Sequence, residues 1–273
     1  MPNASEVQLK HYGLDPKKYY GQNFLTDSSI PEKMASVVKT EPPGVIMEVG
    51  PGLGILTKEL AKVGSKVIAY EIDKDLEPAL KDNLRNYPNV EIIFEDFLKT
   101  DLSIYSDKDI SFVSNLPYYI TTPVLFKALK ANVNFVSYTV MMQKEVAQRF
   151  LAKSDSPDYN ALSVIAWYLC DIKKIMKVSK QCFNPQPKVD SMIIQMRKRP
   201  YPIQVSNQEE FFVFVRGMFQ LRRKTCLNNL TKIIDDKDKA TRILNKAEIE
   251  IQTRPQQLSI EQLIKIYEVS KDA

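Results

Sequence analysis

The sequence predicts an α/β fold built on a mostly parallel sheet, followed by a small C-terminal all-α domain. Two patterns carry this expectation. Through the first two-thirds of the 273-residue chain, short apolar runs rich in β-branched residues alternate with segments of helical periodicity. Strands spaced by helices imply βαβ units and a parallel sheet covered on both faces. From about Asn207 the pattern is helical throughout.

The elements follow in order. GVIMEVG (Gly44–Gly50) reads as a strand, PGLG as a turn, and ILTKELAKVG as a helix. KVIAYEID repeats the strand pattern. KDLEPALKDNLRNY is helical, with Leu76, Leu80 and Leu84 on one face. NVEIIFEDFL and DISFVSNL are further strands, VLFKALKA is a helix and NFVSYTVMMQ another strand. Beyond PKVDSMIIQMRKRPYPI come four helical segments: QEEFFVFVRGMFQ, CLNNLTKII, DKATRILNKA and IEQLIKIYEVS. Pro200 and Pro202 mark a linker. The expected division is therefore a domain over residues 1–200 and a helical domain over 201–273.

Composition narrows the function classes. The chain is 44% hydrophobic and 26% charged, ordinary for a globular protein with a real core. No apolar run approaches the ~18 residues of a membrane span, and the start lacks the apolar region of a secretory signal. Cys170, Cys182 and Cys226 have no CxxC spacing and read as thiols of a reducing compartment, so a cytoplasmic location is expected. The single histidine, His11, excludes an HExxH zinc site and reads as an exposed N-terminal residue rather than a catalyst. No metal is expected. Net charge is +5, and from Tyr201 onward twelve Lys/Arg face ten Asp/Glu. Any polyanion-binding surface must then come from local clusters.

Three stretches carry chemistry. EVGPGLG (Glu48–Gly54) closes the first strand and opens a helix. Glycines there permit a tight turn and close approach of a ligand to the backbone. Glu71 ends the next strand, where an acid can accept hydrogen bonds from ribose hydroxyls. The plain alternative is a glycine-rich βα turn without a ligand. A dinucleotide fingerprint would be G-x-G-x-x-G, but Ile55 stands at its third glycine. An acid two residues before Gly-Pro-Gly instead resembles motif I of S-adenosylmethionine-dependent methyltransferases. In FEDFL, Asp96 ends the third strand. It can accept from an adenine amino group or simply serve as a loop or N-cap acid.

The third stretch is SNLPYYITTP (Ser114–Pro123). An exocyclic amine on adenine or cytosine is a poor nucleophile, because its lone pair is delocalised into the ring. Two acceptors can draw its N–H bonds out of conjugation: the Asn115 amide oxygen and the Leu116 carbonyl. Pro117 stiffens the turn and biases its predecessor to an extended conformation. Tyr118 offers a π-face for an extruded base. The alternative is a structural proline turn with packed tyrosines.

With these motifs in place the chain resembles the rRNA adenine N6,N6-dimethyltransferase family of the KsgA type. GQNFLTD (Gly21–Asp27), VIMEVGPGLGILTKEL, SNLPYYITTPVL, QKEVAQR, YNALSV, FNPQPKVDSMI and FQLRRKTCLNNL follow in family order, nearly end to end. The resemblance implies a class I, Rossmann-like methyltransferase domain. It assigns Asn23, Leu25, Gly50, Gly52, Glu71, Asp96 and Asn115 to S-adenosylmethionine. Asn115, Leu116 and Pro117 would hold the target amine, with Tyr118 and Phe183 sandwiching the base; the lesser alternative for Phe183, beside a proline-rich turn, is packing.

The implied substrate is a pair of adjacent adenosines in a hairpin near the 3′ end of small-subunit rRNA, within an immature small subunit. The implied protein is monomeric when free. Leu116, where the related resistance methylases usually carry Ile, favours the small-subunit type. Arg222, Arg223 and Lys224 are the implied RNA contacts in the helical second domain. Cys226 and Leu227 stand where the family more often shows Leu-Arg, one positive charge fewer. Lys17 and Lys18 beside Tyr19 and Tyr20, and Arg197–Arg199, are further basic clusters. A non-enzymatic reading, an assembly checkpoint or a mitochondrial transcription factor on the same fold, is disfavoured by the intact Asn115–Tyr118 loop and by the absence of a transit-like start.

Overall fold

The computed structural model describes residues 4–17, 20–38 and 44–272. Lys18 and Tyr19 of the expected basic cluster lie outside the described residues. The chain begins with α1 (Ala4–His11), β1 (Phe24–Leu25), α2 (Ser29–Ser36) and β2 (Val45–Val49). It continues through α3 (Ile55–Ala61), β3 (Lys66–Tyr70), α4 (Glu77–Leu84), β4 (Val90–Ile93), β5 (Asp109–Asn115) and α5 (Thr121–Lys130). Then come β6 (Asn134–Gln143), α6 (Lys144–Leu151), α7 (Ala161–Leu169), β7 (Cys170–Val178), β8 (Phe183–Asn184) and β9 (Ser191–Lys198). The C-terminal helices are α8 (Gln208–Met218), α9 (Cys226–Ile234), α10 (Lys237–Lys246) and α11 (Ile260–Lys271).

The chain divides into two compact units. One comprises residues 1–147 with 173–198, the other 148–172 with 199–273. The expected division at residue 200 puts 148–172 in the first domain; the packing puts it in the second unit. The reason is side-chain packing: Tyr168 of α7 lies 5.4 Å from Phe211 and 5.8 Å from Phe212 of α8, ring centre to ring centre.

The first unit holds a seven-stranded sheet in the order β4-β3-β2-β5-β6-β9-β7. Pairs β2–β3, β3–β4, β2–β5 and β5–β6 are parallel, and β6–β9 is antiparallel. A two-stranded antiparallel pair, β1 with β8, sets Leu25 opposite Phe183. The inner strands β2, β5, β6 and β9 are buried on both faces over most of their length, as in parallel sheets, while the edge strands β4 and β7 are partly exposed. Successive residues of β5 serve the two sides. Val113 joins Met34, Ile46, Leu60, Val67 and Ile193 in one apolar cluster. Phe112 sits among Phe97, Phe135 and Tyr138, each ring centre 6.0 Å away.

The second unit is helical. Phe211, Phe212, Phe214, Val215 and Met218 form the buried side of α8, and Tyr267 of α11 packs on Phe211 and Phe214. Asn207, Thr225, Asp236 and Ser259 cap α8, α9, α10 and α11 by accepting from backbone N–H groups of the first turn. Each such cap is worth about 1 kcal/mol.

Phe112 is fully buried with aromatic partners, so truncation leaves a cavity the sheet cannot close. Phe112→Ala is expected to cost about 3–5 kcal/mol, read as a lower denaturant midpoint by far-UV circular dichroism. An unchanged midpoint would contradict the rigidity of this cluster.

Candidate functional site

Strand order reverses at β2, whose neighbours β3 and β5 leave in opposite directions along the sheet. Ligands of open α/β sheets bind outside the carboxyl ends of the strands at such a switch point. A cavity of about 290 Å³ lies there. Its wall carries Gly50 and Gly52 after β2, Glu71 after β3, Asp96 after β4 and the Asn115–Tyr118 loop after β5. Asn23 and Leu25 reach it from the N-terminal segment, and Phe183 from β8. The cofactor- and base-directed residues expected from the sequence therefore meet in one cavity.

The glycine turn is built for backbone approach. Gly50, Gly52 and Gly54 have φ of 74°, 60° and 78°, a region costly for residues with a Cβ. At Gly52 a Cβ would also stand 3.2 Å from the Phe24 ring. Glu71 ties this turn to β3: one carboxylate oxygen accepts from the Gly52 N–H at 3.1 Å and the other from the Asp73 N–H at 2.9 Å. Burial pushes the Glu71 pKa up to about 7, although those backbone donors pull it down. Further donors, such as a ribose diol, would favour its charged form.

Asp73 forms a clasp that sequence reading missed. It accepts from Lys17 Nζ at 2.6 Å and from Gln22 Nε2 at 2.7 Å, and Lys17 also reaches Asp75 at 2.5 Å. The Gln22 oxygen accepts from the Lys17 backbone N–H at 2.8 Å. These bonds hold the segment that carries Asn23 across from β3. Its partners are more than 50 residues apart, so no local pattern announces it.

The Asn115 loop is held from three directions. The Ser114 hydroxyl donates to the Val49 carbonyl, joining the ends of β5 and β2. The Leu116 N–H donates to Met141 O at 3.2 Å. The Ile120 N–H and the Thr121 hydroxyl both reach the Pro117 carbonyl, at 3.2 and 3.1 Å. Among the described residues no hydrogen bond engages the Asn115 side chain or the Leu116 carbonyl, so both acceptors remain available. The Tyr118 hydroxyl pairs with Ser191 Oγ at 2.9 Å. That bond fixes the ring's direction, and Ser191 too escaped sequence reading.

Asp96 has a divided role. Its Oδ1 accepts from the Leu98 N–H at 2.9 Å, the loop-acid geometry weighed against an adenine contact. Its Oδ2 lies 3.9 Å from the exposed Lys99 ammonium. Phe183 is likewise buried in the apolar core while lining the cavity.

Arg222, Arg223 and Lys224 belong to the second unit. They occupy an exposed turn just before α9, which starts at the Thr225 cap. Arg222 donates to the Pro157 carbonyl at 2.8 Å. Cys226 is buried, and burial pushes its thiol pKa up to about 12. Among the described residues no cluster of three or more His, Cys, Asp or Glu is arranged to hold a metal. None of their helices is long and apolar enough to cross a membrane.

Glu48 completes the site's electrostatics. It is 1% exposed, lines the cavity and keeps one carboxyl oxygen without a hydrogen-bond partner among the described residues. Burial raises its pKa to about 8, the charge of Glu71 adds to the rise and the neighbouring Thr57 hydroxyl offsets part of it. A carboxyl whose pKa is raised on folding stabilises fully below its unfolded value, and that contribution is lost as pH climbs through the folded value. Ligand-free Glu48→Gln and the parent should therefore melt alike near pH 4.5. At pH 8.5 the variant should be the more stable, by a few kcal/mol at most. Parallel melting curves across that window would contradict a neutral Glu48.

Comparison with known proteins fits this geometry. A family model described as ribosomal RNA adenine dimethylase matches residues 13–272. A ribosomal RNA small subunit methyltransferase A of Bacillus cytotoxicus is 41% identical over 272 residues, covering 96% of this chain and 93% of that protein. A protein of the same name from Bacillus mycoides is 40% identical over the same shares. Among solved structures, a dimethyladenosine transferase from Plasmodium falciparum aligns with a TM-score of 0.76 at 25% identity, covering 91% of this chain and 98% of that one. The 23S rRNA methyltransferase ErmE aligns at 0.70 with 27% identity, covering 91% and 100%. The first unit has the class I S-adenosylmethionine-dependent methyltransferase fold, and the chain belongs to the ribosomal RNA adenine dimethylase family.

Proposed function

We propose that this protein is a small-subunit rRNA adenine dimethyltransferase, moving methyl groups from S-adenosylmethionine to N6 of two adjacent adenosines in a hairpin near the 3′ end of that RNA. The product is N6,N6-dimethyladenosine. One observation carries the reading: the free acceptors of Asn115 and Leu116 share a cavity with the glycine turn and Glu71.

The residues present fit the cofactor. Gly50 and Gly52 hold a positive φ that residues with a Cβ rarely adopt, so this turn presents bare backbone to the cavity. Glu71 is a buried acceptor suited to a ribose diol, and Asn23 and Leu25 close the cavity from the N-terminal side. Asp96 offers its Oδ2 to the adenine amine. Bound S-adenosylmethionine supplies a methyl group on a positively charged sulfur, an already good leaving group, so the target amine needs no strong base.

The protein's task is then orientation. Asn115 Oδ1 and the Leu116 carbonyl each accept one N–H of the target amine, which frees the nitrogen lone pair from the ring. Pro117 keeps the two acceptors on a stiff backbone. Tyr118, held by Ser191, and Phe183 hold the base between them. The amine proton leaves to solvent after transfer. Such positioning can be worth about 7–11 kcal/mol in favourable cases.

The second unit supplies the RNA-facing surface in this reading, with Arg222, Arg223 and Lys224 contacting phosphates. Affinity should accordingly fall steeply with salt. The partner is an immature small ribosomal subunit, the location the cytoplasm, and the free protein a monomer.

Incubation with labelled S-adenosylmethionine and immature small subunits from a strain lacking the modification, followed by nucleoside analysis of the digested RNA, tests the reading. Labelled dimethyladenosine is the expected product; label in another nucleoside would overturn it. Asn115→Ala should abolish transfer while cofactor and RNA affinities stay within about tenfold, ~1.4 kcal/mol. Glu71→Ala should raise the cofactor's dissociation constant, measured calorimetrically, and an unchanged constant would remove Glu71 from the ribose.

A further inference from the structure

Two consecutive aromatics follow Pro117, and the proposed mechanism uses only the first. Tyr118 is half-buried and anchored through its hydroxyl to Ser191. Tyr119 also lines the cavity but is 53% exposed, and among the described residues its hydroxyl has no hydrogen-bond partner. The closed turn on the Pro117 carbonyl fixes the backbone from which both rings project.

The Tyr119 ring rests on backbone. A Cβ added at Gly21 would stand 3.3 Å from its Cδ1 and 3.5 Å from its Cε1. Gly21 has φ of 59°, and the next residue, Gln22, is clamped to Asp73. The ring is thus backed on one side by the Gly21 segment, while about half of its surface stays in water beside the cavity. A half-bare ring, held by its neighbour's missing side chain, is an open π-face.

We propose that Tyr119 is a stacking platform for the unpaired purine that adjoins the target adenosine in the RNA strand. This rests on the substrate reading above. Drawing one base into the cavity deprives its neighbour of a stacking partner, and an exposed aromatic at the mouth replaces that contact. Aromatic side chains bind single-stranded bases in this way without reading their edges. The contact needs the ring and not the hydroxyl. It holds the second adenosine in place while the first reacts, and the first when the roles exchange.

The test compares the parent enzyme with Tyr119→Ala and Tyr119→Phe on immature small subunits, with cofactor affinity measured separately by calorimetry. Tyr119→Ala should raise KM for the RNA particle about tenfold, about 1.4 kcal/mol, with the cofactor dissociation constant within about twofold of the parent's. Tyr119→Phe should match the parent in both. A hairpin RNA bearing 2-aminopurine next to the target adenosine should lose fluorescence on binding the parent and the Phe variant, and lose less with the Ala variant. Three results would overturn the proposal: an unchanged RNA KM in Tyr119→Ala, equal damage in Tyr119→Phe, or a cofactor constant that rises with the RNA KM, which would make the ring a prop for the Gly21 segment. A parent enzyme inactive on small subunits would overturn the substrate reading and this proposal with it. An active parent with an unaffected Ala variant would overturn this proposal alone.

Discussion

The parallel pairing of β2 with β5 is the constraint on which the site depends. It runs from Val45 opposite Ile110 to Met47 opposite Phe112 and is extended by the Ser114 hydroxyl on the Val49 carbonyl. Because β3 lies on the other side of β2, the loops after β2 and β5 diverge and leave a crevice between them. The Gly50–Gly54 turn and the Asn115–Tyr118 loop face one another there. At Gly50 a Cβ would come within 3.6 Å of Pro117, so the two loops are in near contact as well as near alignment. A shift of one residue in this register would turn the alternating side chains to the opposite faces of the sheet and separate the two loops.

Around that crevice the protein keeps acids where water is scarce. Glu71 is reconciled to burial by two backbone donors, whereas Glu48 retains an unpartnered oxygen and burial favours its neutral form. A buried polar atom without a partner is costly, and such costs gather at functional sites. Stability is drawn from elsewhere: the aromatic cluster around Phe112, the apolar cluster around Leu60, and the Lys17–Asp73 clasp at 2.6 Å. The half-exposed Tyr119, backed by Gly21, belongs to the same pattern of features that packing alone does not call for.

Much of this was legible in the residues themselves. The strand runs ending in Val49, Tyr70, Ile93 and Asn115 stand out because apolar, β-branched stretches are punctuated by Gly, Pro, Asp and Asn, and those punctuating residues line the cavity. The family expectation, drawn from motifs in order along the chain, agrees with a family match over residues 13–272. Other parts were illegible for physical reasons. ALSVIAWYL in α7 is apolar on nearly every side, so it carries no 3.6-residue rhythm, and the CDIKKIMKV strand that follows has only partial alternation. The two-residue strands β1 and β8 are shorter than any pattern.

Local chemistry alone determined which residue types stand at the strand ends: a φ-permissive glycine turn, an acid, and an amide followed by proline and tyrosine. These are properties of single residues and of short spacing, and the chain states them directly. Tertiary structure alone decided the long-range pairings: Asp73 with Lys17 and Gln22, Tyr118 with Ser191, Phe183 with Leu25, and residues 148–172 with the C-terminal helices. Each joins positions separated by tens of residues or more. Such partners are selected by how packed surfaces meet in three dimensions, which local periodicity does not encode.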